Sequence, residues 1–142
     1  MRASARPSIG DYACIGDCRT AALISRTGAI DWLCLPRFDS ASTFAALLDP
    51  DRGGSFRIHP AASFETDRRY IGASNVLETR FICPTGELVL TDFMPLAAPA
   101  ATRGRLLPDH ALVRLVACTG GEVSVDVDYD PRPDYGRARA RW

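Results

Sequence analysis

The chain has 142 residues, 46% of them hydrophobic, enough for one domain with a real core and too few for two comfortable ones. Seventeen basic residues, all of them arginine, balance seventeen acidic ones, so no net field favours nucleic acid or an anionic membrane, and an uncharged partner such as a sugar fits better. No stretch reaches the roughly 18 apolar residues of a membrane helix, and the start lacks the apolar run of about 7 to 15 residues of an export signal, so the cytoplasm is the expected compartment.

In chain order, residues 21–25 and 29–35 are short apolar runs around Arg26-Thr27-Gly28 and predict a β-hairpin, closed by Pro36, which cannot donate to a ladder. Ser40 is placed to cap one short helix over residues 41–48, with Phe44, Leu47 and Leu48 spaced three and four apart. Strand periodicity then takes over. Phe56 and Ile58 share one side of a strand that Pro60 ends, and residues 64–71 read as a more polar edge or outer strand. Residues 75–83 alternate Leu77, Thr79, Phe81 and Cys83 against Val76, Glu78, Arg80 and Ile82, and after Pro84-Thr85-Gly86-Glu87 residues 88–94 return as a second hairpin.

Residues 95–109 read as a long surface connection. Residues 110–119 form an apolar strand that Gly120-Gly121 turns into residues 122–130, where Val123, Val125, Val127 and Tyr129 form a dry face and Ser124, Asp126 and Asp128 a wet one. Six or more strands joined by turns, with no βαβ rhythm, predict an all-β antiparallel β-sandwich.

An odd number of cysteines, Cys14, Cys18, Cys34, Cys83 and Cys118, argues against a disulfide framework. Cys14 and Cys18 with His59 and His110 can be drawn as a zinc site, but the spacing is too loose for a structural one, and no metal or cofactor is expected. The arginines of residues 131–142 read as a solvated edge rather than a nucleic-acid surface.

Several blocks in order then carry a resemblance: Ile9-Gly10-Asp11-Tyr12, Ile15-Gly16-Asp17, Thr20-Ala21-Ala22-Leu23, the stretch from Gly28 through Asp31-Trp32-Leu33-Cys34-Leu35-Pro36-Arg37-Phe38-Asp39-Ser40, Asn75-Val76-Leu77-Glu78-Thr79-Arg80-Phe81, Thr91-Asp92-Phe93-Met94-Pro95 and Asp134-Tyr135-Gly136-Arg137. From about Ile9 to Trp142 the chain resembles the trehalase-like amino-terminal region of bacterial family 15 glycoside hydrolases, the family of glucoamylases and bacterial trehalases. The resemblance implies a supersandwich-like β-domain, here residues 1–142 and incomplete at its C-terminal side. It also implies an (α/α)6 barrel beyond it that carries two catalytic glutamates, inverts stereochemistry and acts on trehalose or α-glucans.

None of Glu65, Glu78, Glu87 and Glu122 maps onto those glutamates, so no catalytic residue is assigned and the chain alone is expected to be inactive. The barrel of the same polypeptide and an α-glucoside are the expected partners, with self-association through an open sheet edge as a further expectation. The candidate substrate-binding or domain-interface group is Trp32, Arg37, Phe38 and Asp39, since an aromatic can stack on a sugar ring while Arg and Asp hold its hydroxyls. The alternative for the same residues is structural, with Trp32 and Phe38 in the core and Arg37 paired to Asp39 or Asp31. Asp11, Asp17 and Arg19 are read chiefly as turn-formers, with an interface role as the alternative, and Asp92 as a carboxylate satisfied by backbone N–H groups. A free-standing carbohydrate-binding or structural sandwich module is the competing reading of the whole chain.

Overall fold

The computed structural model describes residues 7–96 and 110–138. Its strands are β1 (Ala13–Gly16), β2 (Ala21–Ile24), β3 (Ala29–Cys34), β4 (Ser42–Phe44), β5 (Gly54–Pro60), β6 (Glu65–Tyr70), β7 (Leu77–Cys83), β8 (Gly86–Phe93), β9 (Val113–Gly121) and β10 (Val125–Pro131). They form two antiparallel sheets. One runs β1-β2-β3-β5-β10 with β4 also paired to β3, and the other runs β6-β7-β8-β9. The expected all-β sandwich is therefore present, with β6 as the expected edge strand.

Alternation explains which side chains enter the core. In β7 the residues Leu77, Thr79, Phe81 and Cys83 are buried, and in β8 Leu88, Leu90 and Asp92 face them. Ala13, Ile15, Ala22, Ile24, Ile30, Leu33, Phe44 and Met94 fill one end of the interior, and Ile58 joins Phe81, Leu88 and Leu90 at the other. The β2–β3 turn demands glycine. Gly28 has φ +75°, and a β-carbon there would lie 2.3 Å from the Ile58 carbonyl oxygen and 3.0 Å from the Phe81 ring.

One expected element is absent. Residues 41–48 are not a helix: Ser42–Phe44 is strand β4, with Ser42 and Phe44 buried, and Leu48 is exposed. The spacing of Phe44, Leu47 and Leu48 suits a helix, but pairing of Leu33 with Phe44 and Cys34 with Ser42 outweighs so short a helical run. The only turn of helix type assigned among the described residues is a 3-10 turn at Ile9–Asp11.

The passage at Gly120-Gly121 also differs from a hairpin. Gly121 pairs with Gly86, Glu122 N–H donates to the Thr85 carbonyl, and the chain then crosses to the other sheet, where β10 pairs with β5. The expected dry face of this last strand is dry only in part. Val123 and Val125 are half-buried against the Phe81 cluster, whereas Val127 and Tyr129, on the inward face opposite Ile58 and Phe56, are 60% and 51% exposed. Most of the expected connection over residues 95–109, and the last arginines of the chain, lie outside the described residues.

A buried ion pair joins the sheets. Arg114 of β9 donates from Nε to Asp92 Oδ1 (2.7 Å) and from Nη2 to Oδ2 (3.2 Å), while Nη1 and Nη2 reach the carbonyls of Phe56 (2.7 Å) and Gly28 (2.8 Å) across the interior. Its guanidinium also stacks 4.8 Å from the Phe56 ring centroid. Asp92 is thus satisfied by a side chain of the neighbouring strand, not by the backbone N–H groups expected for it. Burial raises its pKa, and Arg114 works against that rise.

Candidate functional site

A cleft of about 570 Å³ opens where the β1–β2 turn meets the loop that follows β3. Asp17 begins that turn: it is buried, and its Oδ1 accepts from the N–H of Arg19 (2.9 Å) and of Thr20 (2.8 Å), the turn-forming role expected of it. The Asp17 side chain also lies 4.0 Å from His110 Nδ1, and Arg19 Nη1 lies 3.1 Å from His110 Nε2. Two segments far apart in sequence therefore meet at one wall.

The other wall is the loop of Arg37, Phe38 and Asp39. Phe38 N–H donates to the Arg19 carbonyl (2.9 Å), which ties this loop to the turn, and Ser40 closes it with Oγ accepting from Arg37 N–H (3.1 Å). Arg37 grips Asp39 with both arms of its fork, Nε to Oδ1 at 2.8 Å and Nη2 to Oδ2 at 3.3 Å. That hydrogen bonding holds the Asp39 carboxyl below the usual carboxylate range and raises Arg37. Both side chains remain largely in water, so the pair fixes the loop's shape more than it stabilises the fold.

Of the four residues singled out in sequence, the structure brings Arg37, Phe38 and Asp39 together and leaves Trp32 apart. Trp32 is half-buried on β3, and its ring lies 6.3 Å from that of Tyr135, so it does not line the cleft. Phe38 is 65% exposed and does not belong to the core, and the partner of Arg37 is Asp39, not Asp31. Asp31 instead accepts from the Tyr12 hydroxyl (2.8 Å), and burial raises its pKa. Cys18, Arg19, Pro36 and His110 complete the cleft, and a separation of 91 residues between Arg19 and His110 leaves no local signal in the sequence that joins them to the Arg37 loop.

The placement of Tyr135 explains another block. Asp134, Tyr135 and Gly136 all have positive φ, and Tyr135 N–H donates to Ser42 Oγ (3.0 Å), which seats the ring over Trp32. A β-carbon on Gly136 would sit 2.4 Å from the Arg52 carbonyl oxygen, so the turn requires glycine.

The glutamates have separate surroundings. Arg69 bonds Glu78, and Arg80 and Thr119 bond Glu87. All five cysteines are free thiols. Among the described residues there is no group of three or more His, Cys, Asp or Glu able to hold a metal ion, and no helix long and apolar enough to cross a membrane.

Fold and cleft together define a two-sheet antiparallel β-domain that presents a hydrogen-bonded polar loop with one exposed aromatic. The chain belongs to the trehalase-like N-terminal family, which matches residues 2–142. It is 38% identical to the trehalase of Mycolicibacterium smegmatis and 37% identical to that of Mycobacterium tuberculosis, in each case over 96% of this chain and 22% of the relative. A trehalase of Thermoplasma volcanium is 35% identical over 92% of this chain and 21% of its own length. The chain thus spans about a fifth of the length of these relatives. No solved structure matches it significantly.

Proposed function

We propose that this chain is the non-catalytic amino-terminal domain of a cytosolic, inverting α-glycoside hydrolase of the trehalase or glucoamylase kind, acting on α-glucosidic bonds in trehalose or α-glucans. The observation that carries the reading is the match along 96% of this chain to trehalases of which it covers only 22%. The reacting carboxyl pair then belongs to a helical barrel elsewhere in the polypeptide. Five free thiols agree with a reducing compartment.

In this reading the Arg37-Phe38-Asp39 loop meets the barrel or the sugar bound there, and Trp32 supports that loop's strand from beneath Tyr135. The inward-facing, partly exposed Val116 and Val127 are covered by the remaining polypeptide, and without it the chain self-associates. The test is to assay the complete polypeptide and residues 1–142 alone on trehalose, maltose and starch. Glucose release is expected from the complete polypeptide only, and release by the short chain would overturn the division of labour.

The exposed Phe38 beside the Arg37–Asp39 fork favours a second reading, a carbohydrate-binding module that stacks a sugar on that ring. Calorimetric titration of the chain with glucose, trehalose and maltooligosaccharides separates the two: saturable heat that Phe38→Ala abolishes supports the module, and no heat at millimolar sugar dismisses it.

A further inference from the structure

The turn that follows β10 holds a ring that the core does not use. Asp134, Tyr135 and Gly136 have φ of +54°, +57° and +77° in succession. Glycine takes that left-handed conformation freely, whereas a bulky side chain adopts it only when its surroundings impose it. Here they do. Asp134 N–H donates to the Ser42 carbonyl (2.9 Å), Tyr135 N–H to Ser42 Oγ (3.0 Å) and Gly136 N–H to the Arg132 carbonyl (3.1 Å). Yet the tyrosine so placed stays 43% exposed. The strained backbone directs an aromatic ring toward solvent instead of into the interior.

Its neighbour is Trp32. Leu33, the next residue of β3, belongs to the core, so alternation turns the half-buried Trp32 to the outer face of the six-stranded sheet. There the two ring centroids lie 6.3 Å apart with their planes inclined by 46°. Two tilted rings make a shallow, curved apolar seat, and neither residue lines the Arg37 cleft. The rim of the seat is polar. Arg137 Nη1 lies 4.0 Å from Asp134 Oδ1, and Arg132 Nε donates to Asp130 Oδ1 (2.7 Å) close by.

A broad apolar area draws a protein partner, whereas a sugar needs an aromatic face for its C–H groups and both donors and acceptors at the edge for its hydroxyls. Asp134 supplies the acceptor and Arg137 the donor. At 4.0 Å and in solvent they hold each other only loosely, so both can turn to a ligand. We propose that Trp32 and Tyr135 form a surface site for an α-glucan chain, two successive glucose units stacking on the two rings while Asp134 and Arg137 hold their hydroxyls. The inclination of the rings suits a chain that curves, as α-linked glucose does, over a flat and extended one. The choice of glucose rests on the glycoside hydrolase reading above.

The complete polypeptide is titrated by calorimetry with β-cyclodextrin, a closed ring of α-linked glucose, and thermal melting is recorded for each variant. Saturable binding is expected, weakened about tenfold by Tyr135→Gly, the loss of one stacking face. Because glycine removes the ring and the left-handed strain together, the melting temperature should hold level or rise. Tyr135→Asn, also tolerated at positive φ, repeats the test should glycine loosen the turn. Arg69→Gln, on the other sheet, should leave the affinity unchanged. Heat that does not saturate, or affinity equal to the parent's in the folded Tyr135 variants, overturns the assignment. So does a lowered melting temperature with affinity retained, which makes the ring a structural prop. Failure of the parent to release glucose from trehalose counts instead against the hydrolase reading, so the two failures are distinct.

Discussion

The two flanks of the sandwich differ in how their sheets are joined. Where β1 faces β6, polar side chains span the gap: Tyr70 caps both the N–H and the carbonyl of Cys14, Asn75 Nδ2 donates to the Gly16 carbonyl (2.7 Å), and Arg68 donates to that of Ile24. At the opposite edges, β9 and β10, Arg114 of β9 reaches the Phe56 carbonyl of β5, but Val116, Val127 and Tyr129 lie on the core side of their strands and remain 45%, 60% and 51% exposed. One flank uses its hydrogen-bonding groups to close the sandwich, and the other presents apolar side chains that the described residues cover only in part, Tyr129 by the rings of Phe44 and Phe56. Hydrogen bonds to backbone fix the position of a partner already present, whereas bare apolar area draws one that is missing.

The largest effect should come from cutting the Arg114 crossing. Arg114→Leu strands Asp92 in the interior, and we expect a loss of about 3–5 kcal/mol in urea unfolding. Adding Asp92→Leu should recover part of that loss, since no buried carboxyl is then left behind, although the Gly28 and Phe56 carbonyls stay unpaired. If the single variant is as stable as the parent, the clamp is not what holds this flank.

The bare side is probed by Val127→Asp in residues 1–142. Sedimentation should show the parent self-associating and the variant shifted toward monomer, with Val127→Ile unchanged. On the latched side, Tyr70→Phe removes the two bonds to Cys14 and should cost about 1 kcal/mol. An equal effect on self-association from Tyr70→Phe and Val127→Asp would erase the distinction between the flanks.

A smaller, pH-dependent effect belongs to Asp31. Its pKa in the folded chain lies above the ordinary 3.8, so the fold binds the protonated carboxyl more tightly than the unfolded chain does. Stability from this group is therefore full below the ordinary value and declines as the pH rises through the folded pKa. Asp31→Asn should gain stability relative to the parent as pH rises from acid to neutral, with the Tyr12 hydroxyl still bonded. A constant difference between the two proteins across that range would contradict the burial argument. Least of all, Arg37→Gln should leave the melting temperature unmoved, since its pair with Asp39 is solvated, yet lower the activity of the complete polypeptide under the proposed function.

Sequence legibility followed the range of the signal. The β7–β8 hairpin was readable because strict alternation from Leu77 to Cys83 and the Pro84-Thr85 turn are both local. The helix predicted over residues 41–48 does not form because the burial of Ser42 and Phe44 depends on a partner strand, β3, that the local spacing of Phe44, Leu47 and Leu48 does not reveal. The Gly-Gly pair announced a change of direction at residue 121 but not that the chain changes sheets. In the cleft, Arg37 and Asp39 are legible as one loop's polar group, though the sequence leaves Asp31 as an equal partner for Arg37, while the place of His110, like the interior Asp92–Arg114 bond, depends on contacts that only tertiary packing creates.

That change of sheets also orders assembly. All pairings of the four-stranded sheet join strands consecutive in sequence, so it can close as soon as Gly121 has left the ribosome. The six-stranded sheet must hold its β5 edge unpaired until Val125–Pro131 arrives, after the whole of the other layer has been synthesised. The late, long-range step is the β5–β10 pairing, and a chain stalled before residue 125 would display a naked strand to its neighbours.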